Sequence, residues 1–266
     1  MTNAEYHARA EISKSDLDLL AKSPYLLKLK KDGLYKSEAT PSQILGSPVH
    51  KLVLEPNDFI NEFALQPMVD RRTKDGKAEF EKFQSENQGK TIITHELYET
   101  ADIIREAVLN MQGTANFLKD GKAEQSYFSE IDGIKVKCRP DFYNENLGLI
   151  IDLKTTSDAS PNGFMKSIAN FNYHIQTAFY SDILRSLGKK VNSFLFIAVE
   201  TKEPYLVGFY ELDEVAIDKG REKYKELLNL WKWCVENNNY FQYGDFKDGK
   251  LNPVKTLNLP TWKFYE

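Results

Sequence analysis

The spacing of apolar and polar positions changes period several times along the chain, and the changes mark its elements. In "SKSDLDLLAKSPYLLKLKK" (13–31) leucines recur at helical spacing behind serine caps, which predicts a helix interrupted near Ser23-Pro24. Residues 40–56 predict another helix, with Thr40 as cap, Pro41 at the first helical position and Pro56 as the stop. The polar, basic stretch 69–77 reads as a loop, and helices follow at about 77–87 and 94–112. The period then shortens to two. Strands are predicted at about 123–131, 134–143 and 148–155, with Asp132-Gly133 as a two-residue hairpin turn. Helices at about 161–170 and 173–187 and strands at about 193–200 and 204–212 come next. A long helix over about 214–236 repeats Tyr224, Leu227, Leu228, Trp231 and Val235 on one face. The aromatic tail "TLNLPTWKFYE" is expected to pack on the body or on a neighbouring subunit.

This order predicts an α/β (α+β) fold, a central mixed sheet with an antiparallel three-strand meander flanked by helices. We read one domain over 1–266: a helical part to about 120, a sheet core over about 121–212, and a C-terminal helix and tail from about 213.

The turns also fix a register. With Asp132-Gly133 as the loop, Ile131 faces Ile134, and the pairing carried down the strands sets Glu124 opposite Asp141. The next turn, "NENLG", sets Asp141 opposite Asp152 and Arg139 opposite Lys154. Three carboxylates then share one row and one face. Opposed side chains lie ~5 Å apart and like charges there repel, so the row calls for a counter-charge, which a hard divalent cation supplies. Lys135, Lys137 and Arg139 fall on the same face as Asp141, while Ile134, Val136, Cys138 and Phe142 face the other way. That suits a phosphodiester substrate. Pro140 has no N–H for the ladder, and a bulge there would shift the register by one.

Composition narrows the choices. Net charge is −4, so bulk electrostatics does not mark a nucleic-acid binder, although a local basic face is compatible with that average. Cys138 and Cys234 are too few for a cysteine-ligated iron–sulfur cluster within one chain and argue against a disulfide framework. No apolar run approaches a membrane span and no signal-peptide stretch is visible, so a cytoplasmic location is expected. No "G-x-S-x-G" elbow supports a serine nucleophile.

"RPDF" followed by "IIDLKTT" resembles the bipartite motif of the PD-(D/E)XK nuclease superfamily. "GSPVHKLVLEP", with His50, and "HIQTAFYSD", with Gln176 and Tyr180 four apart, resemble its RecB-like branch. Together with "RRTKDGK", "AEQSYF" and "CRPDF" they are most similar to the exodeoxyribonuclease VIII (RecE-type) nuclease domain of prophage systems, over about residues 13–212. The resemblance implies a restriction-endonuclease-like core and Mg²⁺, with Mn²⁺ substituting, held by Asp141, Asp152, His50 and the Leu153 carbonyl. Glu124 would join through water or at a second metal. Lys154 would orient or deprotonate the attacking water or neutralise charge, with its pKa depressed beside the metal. Gln176 and Tyr180 would bind the DNA backbone or orient the site, and Arg139, Arg71, Arg72 and Lys74 would contact DNA. Lys28, Lys30 and Lys31 are read as plain surface. The resemblance further implies 5′→3′ digestion of linear double-stranded DNA to 3′ single strands. It also implies a ring-shaped homo-oligomer, a tetramer favoured, a single-strand annealing recombinase as partner, and a bacterial or prophage source. An endonuclease on the same scaffold and a non-catalytic DNA-binding or assembly subunit remain open alternatives.

Overall fold

The computed structural model describes residues 1–35 and 41–264, so Thr40, the predicted cap, lies outside the described residues. Short helix α1 (Asn3–Ala8) was not foreseen; it starts at a Thr2–Glu5 capping box. Next come α2 (Lys14–Lys22) and α3 (Pro24–Lys31), split at the extended Ser23 as its following proline demands. Buried Asp16 caps the start of α2 and holds Lys30 at 2.7 Å and Lys31 at 3.1 Å. Those two lysines, read as plain surface, are therefore the counter-charges that make the buried carboxylate tolerable. Lys28 pairs with Asp32 on the surface.

Helix α4 (Pro41–Leu54) and the single turn α5 (Phe59–Glu62) lead into β1 (Phe63–Leu65), which pairs in parallel with β2 (Thr91–Ile93). Between them lies α6 (Lys74–Glu86). It is capped by Thr73, so the helix takes the second half of the expected basic loop. Helices α7 (His95–Asn110) and α8 (Thr114–Phe117) follow.

The remaining strands are β3 (Lys122–Ala123), β4 (Tyr127–Ile131), β5 (Ile134–Cys138), β6 (Phe142–Asn144) and β7 (Leu149–Thr156). Then come α9 (Pro161–Asn170), α10 (Tyr173–Ser186), β8 (Ser193–Glu200), β9 (Val207–Tyr210), α11 (Glu214–Glu236) and the hairpin β10 (Asp245–Lys247) and β11 (Lys250–Asn252). The central sheet runs β3-β6-β7-β8-β9; β7 and β8 are parallel, joined through α9 and α10, and the other neighbours are antiparallel.

Two of the predicted meander strands are each broken in two. The hairpin β4–β5 leaves the main sheet and forms a sheet of its own. The break comes at Glu124–Ser126 on one strand and Arg139–Asp141 on the other, where Pro140 cannot donate and Glu124 takes a left-handed φ of 51°. Both strands lose three residues to the break, so the register survives it. Ile131 faces Ile134, Ala123 faces Phe142, and Phe142 faces Ile151. The bulge that Pro140 threatened does not shift the pairing.

Alternation along β7 sends Ile150 to one core and Ile151 and Leu153 to the other. The first core packs the sheet against α2, the β4–β5 hairpin, α10 and α11; the second packs it against α4 and α7. The sheet thus lies between two helical layers. Helix α4 comes close to β7 at Gly46, where a Cβ would sit 3.3 Å from Thr155 Oγ1. The expected basic face of β5 does not form. Lys137 is buried, donating to the carbonyls of Tyr6 at 2.6 Å and Arg9 at 2.8 Å, because the segment after α1 adds Ile12 as a parallel bridge to β5. In the tail, Leu257, Leu259 and Phe264 are exposed, so the body does not cover these three apolar residues.

Candidate active site

The C-terminal end of β7, the breaks after β3 and before β6, α4 and the start of α10 meet in a cleft of about 1630 Å³. Asp152 and Lys154 point the same way because they are two apart on one strand. Lys154 lines the cleft, while Asp152 is only 1% exposed beneath it. The Lys154 ammonium lies 2.5 Å from Asp152 Oδ2, and Gln176 Nε2 donates to Asp152 Oδ1. Gln176 is buried, so it orients the carboxylate from below.

Asp141 continues the β6 register opposite Asp152 and turns its Oδ2 to the Leu153 N–H, at 2.8 Å. His50, one helical turn beyond the Gly46 close approach, brings Nδ1 to 3.4 Å from the same Asp141 oxygen. Glu124 sits across from Asp141 and donates its backbone N–H to the Asp141 carbonyl. The carboxyl row foreseen from the turns is therefore present. Burial, then the Asp141 charge, raises the proton affinity of Glu124. Burial raises that of Asp152 as well, with Lys154 opposing and Asp141 adding. Burial pulls Lys154 down, but Asp152 and Asp141 outweigh it, so the amine lies above its ordinary value. The two carboxylates acting together set that direction.

The donor set fits a hard cation. Ligand atoms of His50, Glu124 and Asp141 all lie within 4.8 Å of one another. Asp152 Oδ2 is buried with no hydrogen-bond partner among the described residues; Lys154 approaches it off the direction a hydrogen bond takes. Oxygen and imidazole ligands suit Mg²⁺ or Mn²⁺.

Other predicted residues fall elsewhere. Arg139 reaches the cleft but not Lys154: its guanidinium donates to the Glu124 carbonyl, Asn3 Oδ1 and the Met1 carbonyl. Arg139 falls in the break before β6, so it does not pair with Lys154; on its other side β7 sets Lys154 against Ala198 of β8. Tyr180 lies a turn beyond Gln176, packed near Phe179 and Phe194, and does not line the cleft. Arg71 lies over the Phe80 ring and Arg72 pairs with Asp70; neither they nor Lys74 line the cleft. Sequence reasoning missed Tyr173, whose ring lies 4.9 Å from the Lys154 ammonium, and Lys14, on the same wall. Only the tertiary fold brings α2 there, so no local signal marked Lys14.

A five-stranded mixed sheet between helical layers, with acid, acid-x-lysine and histidine at one corner, defines the PD-(D/E)XK class and supports a nuclease. Residues 13–244 match the family described as "PDDEXK-like domain of unknown function (DUF3799)", and the chain belongs to that family. The fold is similar to a structure described as a "putative exonuclease" from Eubacterium rectale. The two share 16% identity and a TM-score of 0.64, with 98% of this chain and 95% of that one covered. A phage related exonuclease from Haemophilus somnus 129PT aligns with a TM-score of 0.35 and 14% identity, over 78% of this chain and 99% of its own. No curated protein matches the sequence. No described helix is long and apolar enough to cross a membrane.

Proposed function

We propose that the protein is a metal-dependent exodeoxyribonuclease that digests one strand of linear duplex DNA 5′→3′ and leaves 3′ single-stranded ends. The observation that carries this reading is the meeting of His50, Glu124, Asp141, Asp152 and Lys154 at one corner of a cleft. Asp141, Asp152, His50 and the Leu153 carbonyl would hold Mg²⁺ or Mn²⁺, with Glu124 as a further ligand. When bound, the ion supplies Lewis acidity at the phosphate and at the attacking water. Lys154, anchored on Asp152, holds a proton and a positive charge beside the reacting phosphate. Gln176 keeps Asp152 in one orientation. The polarity, a ring-shaped tetramer and an annealing partner protein rest on the RecE-type resemblance and belong to the same reading.

Linear duplexes labelled at the 5′ or the 3′ end, incubated with Mg²⁺, Mn²⁺ or EDTA, test it. The expected result is metal-dependent release of 5′-labelled mononucleotides while 3′ label and closed circles persist. Cutting of closed circles would replace the exonuclease with an endonuclease on this scaffold. Full activity in Asp152→Asn would remove this site from the function.

A further inference from the structure

Lys14 is the first residue of α2, and its side chain crosses to the turn between α9 and α10. There its ammonium donates to the Phe171 carbonyl at 2.7 Å and to Asp18 at 2.8 Å. It lies 5.8 Å from the centre of the Tyr173 ring, and the Lys154 ammonium lies 4.9 Å from the same centre. Both lysines line the cleft, with Lys14's side chain only 13% exposed. Burial lowers the proton affinity of Lys14, Asp18 raises it, and the charge of Lys154 lowers it again. Two ammonium groups are thus held near one ring, each beside a carboxylate, Asp18 for Lys14 and Asp152 for Lys154. A tether to the Phe171 carbonyl alone needs a donor, not a second charge. A phosphodiester lying in the cleft offers both cations a further acceptor. Of the other cleft charges, Asp18 shares α2 with Lys14, and Arg139 lies by Glu124. The α4–α5 stretch brings Glu55, Asp58 and Glu62 to the cleft, and its Lys51 is spent on Glu55 and Glu62. Lys22, one more cleft residue, lies on α2.

We propose that Lys14 is a second phosphate-binding cation of the active site, contacting the DNA backbone beside the phosphate held at Lys154, so that the cleaved strand runs along the α2 wall. This rests on the nuclease reading above. It assigns a substrate contact to a residue outside the family's motifs.

The test is DNA binding by the full chain in EDTA, which blocks metal-dependent cutting, with a 20-base-pair duplex at several salt concentrations. Lys14→Met is expected to weaken binding about tenfold and to reduce the slope of log affinity against log salt by about one, the signature of one lost phosphate contact. Lys14→Arg is expected to recover the slope, and Asp18→Asn, which frees the ammonium without removing it, to keep it. If Lys14→Met does not fold, Lys14→Gln, which retains a donor for the Phe171 carbonyl, takes its place in the same titration. An unchanged slope in the neutral variant, with a lowered melting temperature, makes Lys14 a structural tether and overturns the proposal while leaving the nuclease reading intact. Wild-type protein that binds no DNA at any salt overturns the Lys14 proposal, and the labelled-duplex assay with metal then decides the nuclease reading separately.

Discussion

Replacing Gln176 by leucine removes the hydrogen-bond donor on Asp152 Oδ1 while nearly conserving volume. Both residues are buried, and Asp152 Oδ2 already lacks a hydrogen-bond partner among the described residues, so the carboxylate would keep only the off-axis Lys154 contact. A hydrogen bond to a charged group contributes about 1.5–3 kcal/mol, and orphaning a buried acceptor costs a similar amount. At about 1.4 kcal/mol per tenfold, the expected loss in kcat is roughly ten- to a hundredfold if the bond orients Asp152 for catalysis. Thermal unfolding should move down by about 2–4 °C per kcal/mol for a chain of this size. The decisive assay is a double-mutant cycle in unfolding free energy. In Asp152→Asn the buried charge is gone, so the added Gln176→Leu change should cost at least about 1 kcal/mol less than in the wild type. Additivity within about 0.5 kcal/mol would refute the claim that Gln176 acts through Asp152.

Other consequences are equally open to measurement. Glu124→Gln removes one of the crowded carboxyls, so its melting temperature in EDTA should equal or exceed the wild type's while the rise produced by Mn²⁺ shrinks. Gly46→Val should cost about 1–3 kcal/mol through overpacking against Thr155 and weaken Mn²⁺ binding measured by calorimetry, because α4 carries His50. Burial pushes Lys137 down to about 8 from 10.5. The unfolded chain then holds more protons between those values, so this group makes stability rise with pH across that window. Urea midpoints for Lys137→Met should lack that rise, and a slope equal to wild type would refute it.

Much of the site was legible because a two-residue turn fixes pairing for a whole hairpin. Asp132-Gly133 was enough to set Glu124 against Asp141, and "NENLG" to set Asp141 against Asp152. Helix α11 kept its foreseen limits because Asp213 caps it and its apolar face is regular. What escaped was set by packing between distant segments. Lys137 reads as a solvent-facing base until the stretch after α1 covers it. β1 and β2 have three residues each, too few for any period to show. The hairpin's departure from the sheet depends on both strands breaking at one level, which a single proline could not announce.

That paired break makes the hairpin a ruler. Because the same number of residues separates the turn from Glu124 on one arm and from Asp141 on the other, the alignment of the two carboxyls is measured off from a tip outside the main sheet. Adding one residue to the Asp132-Gly133 loop would slide one arm past its mate and turn Glu124 away from the cleft, without touching any residue of the site. Length at this distant loop is therefore expected to tolerate no change, whereas its residue types are free wherever they preserve the turn.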